Sequence, residues 1–158
     1  MAPNNDGKMK QQELQNIIDF AIEKEKEAVS FYYDLASKVK LKALAEELRR
    51  IATMEEAHRQ RLENMDVAEA VRGVPKGVPD LHITEYVVEK KPSPDMSWQD
   101  IVNIAMHREQ AAINLYTDLE KLVIDPLSKQ LFQHLAAEEQ GHKFFFEKTW
   151  DDEVLTSN

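Results

Sequence analysis

The stretch "MEEAHRQRL", residues 54–62, decides the fold because it places polar residues where a helix should bury apolar ones. It contains good helix formers and neither Gly nor Pro. The apolar residues around it recur at alternating spacings of four and three, as on one face of a helix: Leu44, Leu48, Ile51, Leu62 and Met65. The two positions missing from this series are Glu55 and His58. The sequence therefore predicts a carboxylate and an imidazole on a buried helix face, where a charge is costly unless it is compensated.

A second copy of this pattern lies further along the chain. A shift of 84 positions places "AIEKEKEAVSFYYDL", residues 21–35, on "AMHREQAAINLYTDL", residues 105–119. The same shift carries residues 55–58 to residues 139–142, and both quartets have the form Glu-x-x-His. Two repeated hairpins joined by a long crossover are typical of an antiparallel four-helix bundle. We therefore predict an all-α fold of that kind.

The helical patterns and the helix-breaking residues between them suggest one domain. Residues 66–96 hold four of the six Pro residues, which indicates a crossover rather than a long helix. The predicted bundle spans residues 11–150. Its parts are a flexible N-terminus over 1–10, a hairpin over 11–65, the crossover over 66–96 with a short helix at 66–72, a hairpin over 97–149, and a loose tail over 151–158.

The buried stripes of the first and third predicted helices each carry one Glu. Glu25 and Glu55 are equidistant from residue 40 in the first turn, and Glu109 and Glu139 are equidistant from residue 124 in the second. Such residues face each other in an antiparallel hairpin, so all the carboxylates are expected at one height in the core. Four ionised carboxylates packed together would repel strongly.

Two divalent cations would compensate this charge. Carboxylate and imidazole together suit iron, manganese or zinc. A lone Glu on each of two helices and Glu-x-x-His on each of the other two is the ligand set of carboxylate-bridged dimetal bundles. The predicted metal ligands are Glu25, Glu55, His58, Glu109, Glu139 and His142.

Other polar residues near these positions are not predicted to be metal ligands. Tyr32 and Tyr116 lie two turns after the lone Glu residues, and their hydroxyls are predicted either to hydrogen-bond the ligand carboxylates or simply to pack in the core. The remaining candidates fall off the stripes or lack a partner in the repeat, and all are expected on the surface: Glu27, Glu56, Glu138, His82, His107, His134, Asp34 and Asp118.

Composition excludes several classes of function. A formal net charge of −9 argues against nucleic acid and anionic membranes as partners. No apolar run is long enough to span a bilayer, and the polar first twelve residues lack the apolar stretch of a signal peptide, so we expect a cytoplasmic protein. The absence of Cys excludes a thiolate nucleophile and a Cys-ligated iron–sulfur centre. Electrons for redox chemistry must therefore come from another molecule.

The motifs "EKEAVSFY" (25–32), "EEAH" (55–58), "EQAAINLY" (109–116) and "EEQGH" (138–142) resemble the rubrerythrin group of the ferritin-like superfamily. The resemblance covers about residues 11–150. It implies that Glu25 and Glu109 are terminal ligands, that Glu55 and Glu139 bridge, and that His58 and His142 each complete one metal.

The family is mostly di-iron, cytoplasmic and dimeric or larger, and it reduces peroxide or dioxygen. We therefore expect a di-iron peroxidase or oxidase that binds two iron ions and draws electrons from an external donor protein such as a rubredoxin. Three alternatives stay open: an iron-handling ferroxidase, a non-catalytic bundle stabilised by metal, and a hydroxylase. Whether the two hairpins come from one chain or are exchanged between two also stays open.

The sequence departs from the rubrerythrin pattern in two places. Rubrerythrin proper carries a C-terminal rubredoxin domain, whereas this sequence ends after the predicted bundle. Rubrerythrin also has an additional carboxylate one turn after the Glu of the third helix, and here that position is Ala112. The resemblance therefore implies a weaker preference for peroxide than in full rubrerythrins.

Overall fold

A computed structural model describes residues 7–76, 81, 83–88 and 90–156, and helices make up the regular structure of these ranges. The elements in chain order are α1 (Gln11–Lys38), α2 (Lys42–Glu63), the short α3 (Val67–Val71), a single 3-10 turn (Ile83–Tyr86), α4 (Trp98–Leu122) and α5 (Pro126–Thr156). The predicted all-α fold with two long hairpins is confirmed. The chain forms two compact units, Met1–Lys76 and Gly77–Asn158.

The first unit is the hairpin of α1 and α2, with α3 packed on α1. Its core consists of the apolar residues at four-and-three spacings, which lie on one face of each helix because that spacing matches the helical repeat. Leu14 and Ile18 of α1 and Leu48 and Ile51 of α2 are fully buried. The three residues between the helices are too few for anything but an antiparallel arrangement.

The segment before α1 is tied to the segment after α3. The amide of Met9 donates to the carbonyl of Val74 at 2.8 Å, and the amide of Lys76 donates to the carbonyl of Gly7 at 2.7 Å. Gly7 has a φ of +75°, a left-handed conformation that favours glycine. The sequence predicted a flexible N-terminus over 1–10; residues 7–9 are instead paired, and residues 1–6 lie outside the described range.

The second unit is the hairpin of α4 and α5. Ser97 and Asp100 form a reciprocal capping box at the start of α4. Asp125 caps α5, since its carboxylate accepts the amide of Ser128 at 3.0 Å and Pro126 occupies the first helical position. The sequence predicted an end of the last helix near residue 149, whereas α5 continues to Thr156.

Tyr86 connects the crossover to α4. Its hydroxyl donates a hydrogen bond of 2.6 Å to the carboxylate of Asp118. Asp118 was predicted to be a surface charge, like its repeat counterpart Asp34, and this prediction is wrong because Asp118 is half-buried under Tyr86. Asp34 is exposed and pairs with Lys38 at 2.9 Å.

Replacing Tyr86 by Phe is expected to lower the free energy of unfolding by about 1–3 kcal/mol at pH 7, because a half-buried carboxylate loses its donor. Burial, and then the hydrogen bond to Asp118, raises the pKa of Tyr86. The phenol of the unfolded chain titrates at about pH 10, so this stabilisation is fully present below that pH and is lost as the pH rises towards the folded-state value. Urea unfolding at pH 7 and pH 11 measures the difference, which should shrink at pH 11.

The matched control is Tyr33→Phe. Tyr33 is exposed, and its hydroxyl lies 3.3 Å from the hydroxyl of Thr53. This variant should differ little from wild type at either pH. Equal stability of wild type and Tyr86→Phe at pH 7 would show that the hydrogen bond does not stabilise the fold.

None of the helices in the described part of the chain has the length and apolar character needed to cross a membrane.

Candidate metal centre

The first unit brings Glu25 of α1 together with Glu55 and His58 of α2. Their side chains are 3%, 2% and 0% exposed. The Nδ1 atom of His58 lies 3.7 Å from a carboxylate oxygen of Glu25 and 3.8 Å from one of Glu55. One ligand atom from each residue falls within 4.8 Å of the others. We call these three residues the first triad.

The second unit repeats this arrangement with Glu109 of α4 and with Glu139 and His142 of α5. The Nδ1 atom of His142 lies 3.8 Å from a carboxylate oxygen of Glu109 and 3.7 Å from one of Glu139. All three side chains are buried, and their ligand atoms again lie within 4.8 Å of one another. We call them the second triad. Its distances match those of the first triad to 0.1 Å.

Helix periodicity explains why each triad forms. Glu and His three residues apart on one helix lie on the same face. Ile51 and Leu62 continue that face on α2, and Leu135 and Phe146 continue it on α5; all four are buried. The apolar residues therefore turn the polar pair inward, towards the single Glu of the neighbouring helix.

The donor set of each triad suits a divalent metal ion. The separations of 3.7–3.8 Å between Nδ1 and the carboxylate oxygens exceed the usual range for a hydrogen bond, which ends at about 3.2 Å. Two ligand atoms that each lie about 2.0–2.2 Å from a shared ion are roughly 3–4 Å apart. Two carboxylates and an imidazole also match the preferences of iron, manganese and zinc. The triads therefore fit metal in both chemistry and spacing.

The two predicted tyrosines are fully buried. The ring of Tyr116 stacks on Phe132 with centroids 6.4 Å apart, and the ring of Tyr32 meets the edge of Phe31 at 5.1 Å. These contacts account for their packing in the core. The predicted bonds from their hydroxyls to ligand carboxylates stay predictions.

The other polar candidates lie away from the triads. Glu27, His107 and His134 are exposed, and Glu56 and Glu138 are half-buried. Arg59 pairs with Glu56, and His134 pairs with Glu138 at 2.5 Å. The hydrogen bond to Arg59 lowers the pKa of Glu56. His82 lies outside the described residues.

Ala28 and Ala112 were predicted to lie on the buried stripes and are half-buried instead. Sequence reasoning missed the link between Tyr86 and Asp118, since Tyr86 has no counterpart in the repeat.

The chain is similar to known proteins in both sequence and structure. A family model described as Rubrerythrin matches residues 16–150. A hypothetical protein from Pyrococcus furiosus is 28% identical, with a TM-score of 0.67 over 85% of this chain and 86% of that one. A Thermotoga maritima protein described as ferritin-like and diiron-carboxylate is 18% identical, with a TM-score of 0.70 over 92% of this chain and 97% of that one. At that identity the likeness shows the fold alone, which is ferritin-like as predicted. No curated protein matches the chain.

Proposed function

The chain belongs to the rubrerythrin family, and from this premise we propose that it is a non-haem di-iron oxidoreductase that reduces hydrogen peroxide or dioxygen. The observation that carries the proposal is the pair of matched buried triads, each with two carboxylates and one imidazole at almost the same distances. Duplicated geometry of this kind is not needed for a stable core, because Leu at the same positions would pack without a charge to compensate. It is needed to hold two ions in equivalent surroundings.

In this proposal the first triad (Glu25, Glu55 and His58) and the second triad (Glu109, Glu139 and His142) supply six ligands to two iron ions. When bound, the iron ions supply electrons and act as Lewis acids. The carboxylates balance the positive charge of the ions, and the two His residues add neutral donors. Manganese or zinc would fit the same donors.

The surrounding chain keeps the triads dry. Ile51 and Leu62 flank the first triad along α2, and Leu135 and Phe146 flank the second along α5, all with exposures of 1% or less. An apolar wall excludes bulk water, so charge interactions at the triads are stronger than on the surface. It also limits access to small oxidants such as peroxide and dioxygen.

The reaction requires electrons from outside the chain. Reduction of hydrogen peroxide to two waters consumes two electrons and two protons, and reduction of dioxygen to hydrogen peroxide consumes the same number. The sequence has no Cys that could hold an iron–sulfur centre or a redox disulfide. We propose that a separate electron-donor protein returns the centre to its reduced state.

Anaerobic loading with Fe(II) is expected to give two iron ions per chain, because two equivalent triads are present. Metal analysis after removal of loosely bound iron measures this. His142→Ala should reduce the stoichiometry below two, whereas His134→Ala, which alters an exposed His on the same helix, should leave it at two. One iron or none in the wild type would contradict a dinuclear centre.

The loaded protein should then be mixed with peroxide or with dioxygen in a stopped-flow instrument. Oxidation of the reduced centre, followed by catalytic turnover with a chemical reductant, supports the oxidoreductase. Release of Fe(III) as product would instead indicate an iron-handling protein. Equal binding of zinc and iron without consumption of oxidant would indicate a non-catalytic bundle.

Replacing Ala112 by Glu is expected to raise the rate with peroxide relative to dioxygen by about tenfold, which corresponds to ~1.4 kcal/mol. Ala112 is half-buried one turn past Glu109, so a Glu there adds an oxygen donor, the type that ferric iron prefers, near the second triad. Single-turnover oxidation of wild type and variant with each oxidant measures the ratio.

Ala111→Glu is the matched control, because Ala111 is also half-buried but projects about 100° away around α4. Its ratio of the two rates should equal that of the wild type. A wild type that already reacts orders of magnitude faster with peroxide would show that this carboxylate does not set the preference.

A further inference from the structure

Tyr86 and Asp118 place a phenol directly against a base within the second unit. The hydroxyl of Tyr86 donates to the Asp118 carboxylate at 2.6 Å, a length typical of a hydrogen bond to an ionised carboxylate. The same distance lies in the range of about 2.6–3.2 Å over which a side chain can take a proton from its neighbour. Asp118 is therefore positioned to act as a base towards this phenol.

The surroundings of the pair are shielded and apolar. Tyr86 is 5% exposed, and the 3-10 turn that carries it packs on α4. Leu115 and Leu122 lie one turn before and one turn after Asp118 on α4, and each is 3% exposed. An oxidised Tyr86 would therefore be protected from bulk water and from small reductants in solution.

The protonation of Tyr86 suits the loss of an electron together with a proton. Burial, and then the hydrogen bond to Asp118, raises the pKa of Tyr86, so the phenol keeps its proton at neutral pH. A phenol that loses an electron becomes a strong acid and releases its proton to a base that is already hydrogen-bonded to it. Loss of both particles leaves a neutral ring, which avoids the cost of a buried charge there.

The internal repeat does not reproduce this pair. The shift of 84 positions places Asp34 on Asp118 and Ala2 on Tyr86. Asp34 is exposed and pairs with Lys38 at 2.9 Å, so its carboxylate already has a cationic partner. Because a hairpin of the same design forms without the pair, the pair is a feature of the second unit alone.

Helix α4 connects the pair to the second triad. Asp118 follows Glu109 by nine residues, which is about 13–14 Å along the helix axis. Tyr116 is fully buried between them, about 10 Å past Glu109, and its side chain leans towards the N-terminus and hence towards the triad. Tyr116 and Asp118 project from opposite sides of α4, which is about 10–12 Å across. An electron from Tyr86 can therefore reach the triad in two steps of roughly 10 Å, with an aromatic ring between them.

We propose that Tyr86 is an internal one-electron donor to metal bound at the second triad, and that Asp118 holds its proton meanwhile. This inference rests on the proposed function, since it names a second source of electrons for the same centre. The O–H bond of Tyr86 breaks, its electron passes to the centre, and its proton passes to the carboxylate of Asp118. An electron from the external donor, with the proton returned by Asp118, later restores the phenol.

Such a donor is needed when the centre holds only one electron. One electron and one proton convert hydrogen peroxide to one water and a hydroxyl radical, which damages the protein. Two electrons and two protons from solvent convert it to two waters. With Tyr86 as the source of the second electron, a centre that is only half reduced can still complete the harmless reaction.

Oxidation of Tyr86 can be measured without iron. Because the sequence has no Cys, Asn114→Cys supplies a single attachment point for a ruthenium photo-oxidant, and Asn114 is exposed one turn before Asp118. A flash on the zinc-loaded protein is expected to produce a tyrosyl radical, seen by its absorption and its electron paramagnetic resonance signal. Tyr86→Phe should lose this signal. Asp118→Asn keeps an oxygen acceptor but is not a base, and it should slow radical formation by about 100-fold.

Tyr33→Phe is the matched control. Tyr33 is exposed, and its hydroxyl lies 3.3 Å from that of Thr53, which is not a base. This variant should form the radical at the wild-type rate. Urea unfolding of every variant shows that the comparison is made between folded proteins. A radical that forms equally fast in Tyr86→Phe, or at an unchanged rate in Asp118→Asn, would overturn the proposal.

The iron-loaded chain gives the second readout. Protein that has been reduced by one electron per centre is mixed with one equivalent of peroxide and frozen rapidly. The wild type is expected to show the tyrosyl radical, whereas Tyr86→Phe should lose it and release hydroxyl radical to a spin trap. A tyrosyl signal that persists in Tyr86→Phe would place the radical on another residue and contradict the assignment.

The two experiments separate this inference from the proposed function. A chain that reduces peroxide by two electrons but forms no radical on Tyr86 keeps the proposed function and loses the internal donor. A chain that never consumes oxidant loses the proposed function, and the donor role falls with it even if the flash oxidises Tyr86, because the electron then has no acceptor.

Discussion

Removal of both metal ions is expected to lower the free energy of unfolding by about 8 kcal/mol, roughly 4 kcal/mol per site, when the loaded form is measured at a free metal concentration near 1,000 times the dissociation constant of each site. Without metal, each triad leaves two carboxylates buried side by side, and ionised groups in such a position repel each other. Folding then works against this repulsion, whereas bound metal turns the same groups into favourable contacts.

Urea unfolding of the apo form and of the zinc-loaded form at pH 7 measures the difference, because zinc fills the sites without oxidation chemistry. The loaded form should unfold at a higher urea concentration, with a similar dependence of the free energy on urea since the fold is the same. Equal midpoints at saturating zinc would show that the triads do not bind metal in the folded state.

Replacement of Glu55 by Leu is expected to have opposite effects on metal binding and on apo stability. The variant should not bind two metal ions, since the first triad keeps only Glu25 and His58. Its apo form should be more stable than the wild-type apo form by about 1–4 kcal/mol, because an apolar residue of similar volume replaces a buried charge. The side chain of Glu55 is 2% exposed between Ile51 and Leu62, where Leu continues the apolar face.

Glu56→Leu controls for the general effect of adding Leu to α2. Glu56 is half-buried beside Arg59 and away from the triad, so the variant should still bind two metal ions. Urea unfolding of the apo forms and metal analysis of the loaded forms test both variants. A Glu55→Leu chain that is much less stable than wild type without metal would contradict the placement of this carboxylate in the core.

The helices and the positions of the triad residues could be predicted because both depend on the helical repeat of the apolar residues. Buried residues at four-and-three spacings identify the inner face, and a polar residue that interrupts the series must lie on that face. Glu25 and Glu55 are equally far in sequence from the first turn, and Glu109 and Glu139 are equally far from the second. This symmetry predicts that the two residues of each pair lie at the same height along their hairpin. Which metal such a site would select depends on affinities and supply, which residue spacing does not encode.

Features that occur only once along the chain could not be predicted in this way. Tyr86 lies in the crossover, which the repeat does not duplicate, so nothing in the sequence distinguished Asp118 from exposed Asp34. The sequence predicts an earlier end of α5 than the structure shows, for a different reason. The polar residues after 150 suggested a loose tail, but none of them is Gly or Pro, and polarity alone does not end a helix.

The half-buried Ala28 and Ala112 show that helical spacing alone does not predict how deeply a side chain is buried. Both continue the inner face by spacing, yet Ala21 and Ala105 on the same two faces are buried, so spacing along one helix does not determine what packs over each position. The same limit applies to Phe144, whose exposure follows from its angle on α5 rather than from its apolar character.

Residues 7–9 pair with residues 74–76, so the two ends of this part of the first unit lie side by side. Domains whose ends lie close together tolerate circular permutation and insertion into another chain, because the new connection can be made without stretching the domain. We therefore expect residues 7–76 to keep their hairpin when their two ends are joined and the chain is opened between α1 and α2.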